Sequence, residues 1–302
     1  MLVKKLRVVS GLMGAMLIAA CATANINLPS VTDTPTGEVL PGKVVWRDLL
    51  THDPEQSQKF YETLFGWEFE SVGGAAGLSR DSAYMLIRHK GRLIGGMIDT
   101  MALNNRNDIS QWVVSMSVED VEAAAEKITA AGGEIVTPPT DLQNRGILAV
   151  VRDAEGALLT LLQTRHGDPA DRKPEVGEFL WDELWTTDVD SATAFYEDVA
   201  GLEAVTWDID EDQESGASYR LLKAGDTPRV GIMPNPLEGL QPVWVSYVRV
   251  ESPAAMTARV AELGGRVIVE AQPRPLGGEV AFVAGPSGAG IALQTWPLKK
   301  KN

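Results

Sequence analysis

Cysteine occurs once in the 302 residues, at Cys21, so no internal disulfide can form and stability must come from packed cores. Histidine occurs three times, at His52, His89 and His166. Three scattered imidazoles are a poor supply for a His-based metal centre, and each reads as a solvated loop residue. Basic residues are the minority, 27 Lys+Arg against 41 Asp+Glu, for a formal charge of −14. A surface of that sign repels phosphate backbones, which argues against nucleic acid as a partner. After Cys21 no long apolar run follows, so nothing there offers the roughly 20 apolar residues of a spanning helix.

What is present begins with a leader. Lys4, Lys5 and Arg7 precede the apolar run Val8 to Ala20, which ends in Ile18-Ala19-Ala20-Cys21. A basic start, a short apolar stretch and small residues at its end mark a secretory signal. With the lone cysteine closing it, the segment resembles the bacterial lipoprotein signal, in which cleavage precedes the Cys and the thiol carries a lipid such as palmitate. The resemblance implies residues 1–20 as signal peptide, Cys21 as lipidation site and the cell envelope as location. Ala22 after the cysteine implies the outer membrane, where the cell has one. Residues 21–42 then read as lipidated Cys and flexible tether, rich in Pro, Gly and Thr without apolar periodicity.

The remainder repeats. Trp46-Arg47-Asp48-Leu49 returns as Trp181-Asp182-Glu183-Leu184, Asp53 as Asp188, Phe60-Tyr61 as Phe195-Tyr196, Gly66 as Gly201 and Tyr84 as Tyr219, all 135 residues on. Trp112 pairs with Trp244, Gly132-Gly133 with Gly264-Gly265 and Gly156 with Gly288, at 132. Two homologous modules, 43–165 and 176–297, are joined by the polar linker 166–175, with a tail at 298–302. Each module divides again. Val44 to Leu50 reads as a strand, followed by a helix with Asp53 as N-cap, Pro54 at its first position, Gln56 completing a capping box and an end near Gly66. Strands follow at Tyr84 to His89 and Arg92 to Ile98, then Trp112 to Val118, a helix from about Asp120 to Ala131, and strands Glu134 to Thr137, Gly146 to Arg152 and Leu158 to Thr164. The unit is βαβββ, used four times, and the fold class is α+β.

Paired βαβββ units with a Thr-x-Asp strand end (Thr51 to Asp53, Thr186 to Asp188), a Phe-Tyr pair and a late turn such as Asp153 to Gly156 resemble the vicinal oxygen chelate superfamily of glyoxalases, extradiol dioxygenases and bleomycin-resistance proteins. The resemblance implies a curved mixed sheet around a cleft in each module, with helices outside, and one divalent ion held by His, Glu or Gln. The matching positions here are Trp46, Val113 and Thr160 in module one and Trp181, Val245 and Ala292 in module two. Such side chains do not hold a divalent cation, so no metal and no cofactor is expected.

Strand parity then suggests what lines each cleft. With Trp46 inward, so are Asp48 and Leu50; on the middle strand, Val113, Ser115 and Ser117. The second cleft would hold Trp181, Glu183, Trp185, Tyr247 and Arg249, an aromatic wall around one carboxylate and one guanidinium. Three readings stay open: a site for a small amphiphilic or aromatic molecule, a lyase or isomerase using Glu183 or Asp48 as general base, and a structural or partner-binding envelope protein whose clefts are filled, with Glu183 and Arg249 as an ion pair. Acidic Asp208 to Glu214 reads as a solvated hairpin, Gly73-Gly74 and Gly95-Gly96 as turn or bend glycines, Lys299 to Lys301 as a solvated end, and Ser110 as having no nucleophile–base grouping.

Overall fold

A computed structural model describes residues 27–72, 84–102, 109–207, 219–274 and 277–296. The leader with Cys21, the acidic stretch Asp208 to Glu214, Gly73-Gly74 and the lysine tail lie outside them.

The first module runs β1 (Val44–Thr51), α1 (Pro54–Phe65), β2 (Glu68–Ser71), β3 (Tyr84–His89), β4 (Arg92–Asp99), β5 (Gln111–Ser117), α2 (Val121–Ala130), β6 (Glu134–Asp141), β7 (Gly146–Arg152) and β8 (Leu158–Thr164). The second repeats it as β9 (Phe179–Thr186), α3 (Val189–Ala200), β10 (Glu203–Trp207), β11 (Tyr219–Ala224), β12 (Thr227–Pro234), β13 (Val243–Arg249), α4 (Pro253–Val260), β14 (Arg266–Pro273), β15 (Glu279–Ala284) and β16 (Gly290–Gln294). Each module is one eight-stranded mixed sheet, ordered β2-β3-β4-β1-β5-β8-β7-β6 and β10-β11-β12-β9-β13-β16-β15-β14. Four βαβββ units in two sheets make this an α+β fold, with β1·β5 and β9·β13 antiparallel at the two sheet centres.

Local chemistry explains the helix starts. Asp53 Oδ1 accepts from the backbone N–H of Gln56 at 3.1 Å, and Asp120, Asp188 and Ser252 cap α2, α3 and α4 in the same way. Gly66 and Gly201 close α1 and α3 in the left-handed region, at φ 71° and 64°. The capping box expected at Gln56 is only half made: the Asp53 N–H goes to Thr51 Oγ1 at 3.1 Å.

The two sheets face each other through their helix-bearing sides, and the units cross-pair. Residues from β5, α2, β7 and β8 share a core with Leu184, Phe195, Tyr196, Val199 and Trp244 of the second module. Leu49, Phe60, Tyr61, Trp67 and Trp112 share another with Val248, Val260, Val283, Ile291 and Leu293. The repeated motifs serve this seam. Trp112 Nε1 donates to Tyr61 OH and Trp244 Nε1 to Tyr196 OH, each at 3.1 Å. The turn at Asp153 accepts from Glu155 N and Ala157 N and receives Tyr196 OH at 3.0 Å. Arg47 and Asp182, equivalent positions in the two modules, form an ion pair across the seam, and Asp182 also accepts from Ser246 Oγ.

Residues 27–42 are not a loose tether. Val31 is 2% exposed, Thr36 donates to the carbonyl of Asp168, and Leu40 N donates to the buried Asp168 carboxylate at 2.6 Å. A Pro- and Thr-rich segment lacks periodicity whether loose or docked, and contacts made across 128 residues of chain separation decide between the two. His89, expected in solvent, is 5% exposed and meets the carbonyl of Val176 at 3.0 Å, because its hairpin abuts the inter-module linker.

Candidate functional site

Alternate residues of the opening strands lie on opposite faces. Trp46 and Asp48 face the first cleft, while Arg47 and Leu49 face the seam; Trp181, Glu183 and Trp185 face the second cleft and Leu184 the seam. In each cleft the carboxylate lies in a quartet of Trp, acid, Tyr and Arg. In the first, Trp46 Nε1 donates to Asp48 Oδ1 at 3.0 Å and to Tyr84 OH at 3.1 Å, and Tyr84 OH donates to Asp48 Oδ1 at 2.8 Å. Arg145 Nη1 lies 3.3 Å from Tyr84 OH, with its guanidinium 4.2 Å over the Trp46 ring. In the second, Trp181 Nε1 donates to Tyr219 OH at 3.0 Å, and Tyr219 OH to Glu183 Oε1 at 2.9 Å. Arg274 Nη2 also donates to Glu183 Oε1, Tyr247 OH to Oε2, and Arg274 Nη1 to Gln294 Oε1. Glutamate is one methylene longer than aspartate, which gives Glu183 the reach that Asp48 lacks.

The backbone makes room for both quartets. Tyr84 and Tyr219 cross β4 and β12 over Gly96 and Gly231. A Cβ at Gly96 would sit 2.2 Å from Tyr84 OH and 2.3 Å from Asp48 Oδ1; one at Gly231 would sit 2.0 Å from Tyr219 OH. Gly95-Gly96, read from sequence as a turn or bend, is strand interior, kept free of side chains by what passes over it.

Arg249 corrects the expected constellation. It does not meet Glu183; its Nη1 donates to the carbonyl of Pro174 and its backbone N–H to Glu178 O at 2.9 Å, so it ties β13 to the linker. The register shift between Tyr247 and Val248 adds its extra residue on β9, at Leu180, and β13 keeps its alternation, with Val248 and Val250 in the seam; Arg249 stands at the end of the strand, where its side chain reaches the linker and not Glu183. The cation beside Glu183 is Arg274, just beyond β14, where no periodicity marks it. Tyr84 and Tyr219 were visible as repeats, and their recurrence beside Gly96 and Gly231 at the same spacing of 135 was the available signal.

The metal positions shift as well. Trp46 pairs with Ser115, and Ser115 with Thr160, so the row across the first sheet is Trp46, Ser115 and Thr160, with Val113 two residues along beside Asp48. In the second sheet the row is Trp181, Tyr247 and Ala292, and Val245 pairs with Glu183. Thr160 Oγ1 is committed to Ser115 Oγ at 2.6 Å. Indole, hydroxyl, phenol and methyl groups do not fit a divalent ion, and among the described residues no group of three His, Cys, Asp or Glu side chains converges. Of the remaining candidates, Leu50 packs with Val113, Ser117 donates to Asp168, and the Trp185 ring meets Phe282 at 4.9 Å with the planes tilted by 54°. Ser110 does meet a histidine, since His52 Nδ1 lies 3.0 Å from its Oγ at the exposed start of α1.

Burial pushes the Asp48 carboxyl above its ordinary value, and Arg145, Tyr84 and Trp46 only partly offset that. Burial and then the charge of Glu183 push Tyr219 and Tyr247 well up, so both phenols stay protonated and serve as donors. Burial alone would lower Arg274, but Glu183 and the two tyrosines hold it more firmly protonated than usual. A carboxyl raised in the folded state binds a proton that the unfolded chain has already released. The stability Asp48 contributes is therefore present below its unfolded value of 3.8 and is lost as pH rises through the raised value. Urea unfolding from pH 3.5 to 7.5 should show wild type losing stability relative to Asp48→Asn as pH rises, and a constant difference would contradict the desolvated placement.

Comparison with known proteins agrees with this architecture. The sequence profile of the Glyoxalase/Bleomycin resistance protein/Dioxygenase superfamily matches residues 43–161 and 178–293. CFP32 of Mycobacterium tuberculosis, provisionally named a glyoxylase, is 32% identical over 254 residues, covering 83% of this chain and 94% of that protein. The anthracycline biosynthesis protein DnrV of Streptomyces peucetius is 28% identical over 267 residues, covering 84% and 93%. Among solved structures, the Mn(II)-bound glyoxalase of Novosphingobium aromaticivorans superposes with TM-score 0.56 at 15% identity, over 85% of this chain and 83% of that one. A catechol 2,3-dioxygenase gives 0.54 at 14%, over 88% and 96%, a likeness of fold. Two profile matches spanning both modules place the chain in the Glyoxalase/Bleomycin resistance protein/Dioxygenase superfamily.

Proposed function

We propose that the protein is a lipid-anchored envelope member of this superfamily, attached through Cys21, that holds a small aromatic or amphiphilic molecule in its second cleft without a metal. The observation that carries this reading is the layering of that cleft. A charged floor, Glu183 with Arg274 and two phenols, lies beneath a partly exposed apolar rim of Trp181, Met233, Leu237, Leu240 and Phe282. Aromatic faces supply contact area and a few fixed polar groups set orientation. The relation to a protein named for anthracycline biosynthesis fits a flat aromatic ligand.

A second reading, a lyase or isomerase, is favoured by Asp48, whose raised carboxyl suits a general base. Glu183 accepts from three donors, one of them a cation, and is the weaker candidate. Mass spectrometry of the full chain extracted from membranes tests the first reading. The denatured protein should carry acyl chains at Cys21, the native protein an organic molecule, and elemental analysis should find no stoichiometric transition metal. An unmodified Cys21 would refute the anchor, and a tightly bound ion per module would refute the metal-free site.

A further inference from the structure

The first cleft contains part of the chain itself. Leu28 and Val31 pack against Trp46, Tyr84, Leu86, Leu142 and Leu148, with Val31 2% exposed. Leu28 N donates to the carbonyl of Leu142 at 3.3 Å, and the Asp33 carboxylate pairs with Arg88 at 2.8 Å. The central contact is polar: Arg145 Nε donates to the carbonyl of Pro29 at 2.7 Å.

Arg145 is unlike its counterpart. In the second cleft Arg274 spends its two terminal nitrogens on Glu183 and Gln294. Arg145 is 2% exposed, holds Tyr84 OH with Nη1, and its Nη2 is buried with no hydrogen-bond partner. A guanidinium whose one edge meets a single carbonyl and an unmatched N–H is suited to a group bringing two acceptors in one plane, as a carboxylate does. Trp46 and Tyr84 beside it supply flat apolar faces.

We propose that residues 27–33 form a displaceable strap over the first cleft. The Pro29 carbonyl stands where one oxygen of a small aromatic carboxylate would bind, and Arg145 takes that carboxylate by two hydrogen bonds when the strap lifts. This site is separate from the one proposed in the second cleft. Little holds the strap: the fully buried Val31, the half-buried Leu28 with its backbone hydrogen bond, Asn27 Oδ1 accepting from the Asn144 side chain at 3.1 Å, the Pro29 carbonyl and an ion pair whose aspartate is 55% exposed.

The test titrates the full chain with 2-naphthoate by calorimetry, with neutral 2-naphthol as control. Val31→Asp, which removes the buried anchor, should bind 2-naphthoate about tenfold more tightly than wild type, because affinity scales with the fraction of open cleft. Asp33→Asn, a surface change that leaves the core intact, should give a smaller gain of the same sign and carries the test if Val31→Asp fails to fold. Adding Arg145→Met to either variant should abolish the gain, and 2-naphthol should show none. In wild type, amide exchange within 27–33 should rise on saturation with 2-naphthoate. No gain in the strap variants, a gain independent of Arg145, equal binding of 2-naphthol, or unchanged exchange within the strap would each overturn the proposal.

Discussion

Arg274→Met is expected to cost about 3–5 kcal/mol of folding stability, because it leaves the fully buried Glu183 carboxylate without its cation. Tyr219 and Tyr247 still donate to Glu183, which places the loss toward the lower end. The double variant Glu183→Gln/Arg274→Met should recover most of it, since a buried pair is close to neutral against groups of similar shape while a lone buried charge is not. Urea unfolding of wild type and the two variants at one pH measures both effects. A loss below about 1 kcal/mol would mean that the pair is solvated and is not the floor of a buried site. The same titrations with ligand separate stability from function, because the double variant removes both charges of the floor together and should weaken binding while keeping most of the stability.

Trp67→Ala is expected to destabilise by a comparable amount, about 3–5 kcal/mol, through the cavity it leaves and the hydrogen bond it loses. Trp67 is 1% exposed and lies between the modules. Its ring centroid is 5.3 Å from Tyr61, 4.9 Å from Phe65, 5.9 Å from Trp112 and 5.2 Å from Phe179 of the second module, and Nε1 donates to the carbonyl of Gly177 at 2.6 Å. Because the residue joins one module to the other, its loss should also split unfolding into two transitions, where a shared core makes wild type unfold as one. Trp67→Phe keeps most of the packing and forfeits the hydrogen bond, so about 1–2 kcal/mol is expected for it. Calorimetric scans of both variants decide the matter; a single unshifted transition in Trp67→Ala would show that the seam does not couple the modules.

The sequence by itself determined the two-module α+β architecture, the capped helix starts and the inward face of the opening strands. Those features are local or periodic: a repeat at 135 residues, a cap within three residues of its partner, side chains alternating along a strand. Trp46, Asp48, Trp181, Glu183 and Trp185 lie on the sheet face opposite the seam, as alternate residues of one strand share a face. Tertiary structure alone decided which cation completes each acid. Arg145 and Arg274 stand at the turns after β6 and β14, where neither periodicity nor spacing singles them out, and Arg249, at the end of β13, reaches the linker at Pro174 instead of Glu183. The strap is the clearest case. Residues 27–33 have a composition that suits a solvated spacer, and a composition is the same whether a segment is loose or docked. Only the chain's return at Leu142 and Arg145, more than a hundred residues later, provides the apolar wall for Val31 and the donor for Pro29, and contacts at that separation leave no mark on local sequence.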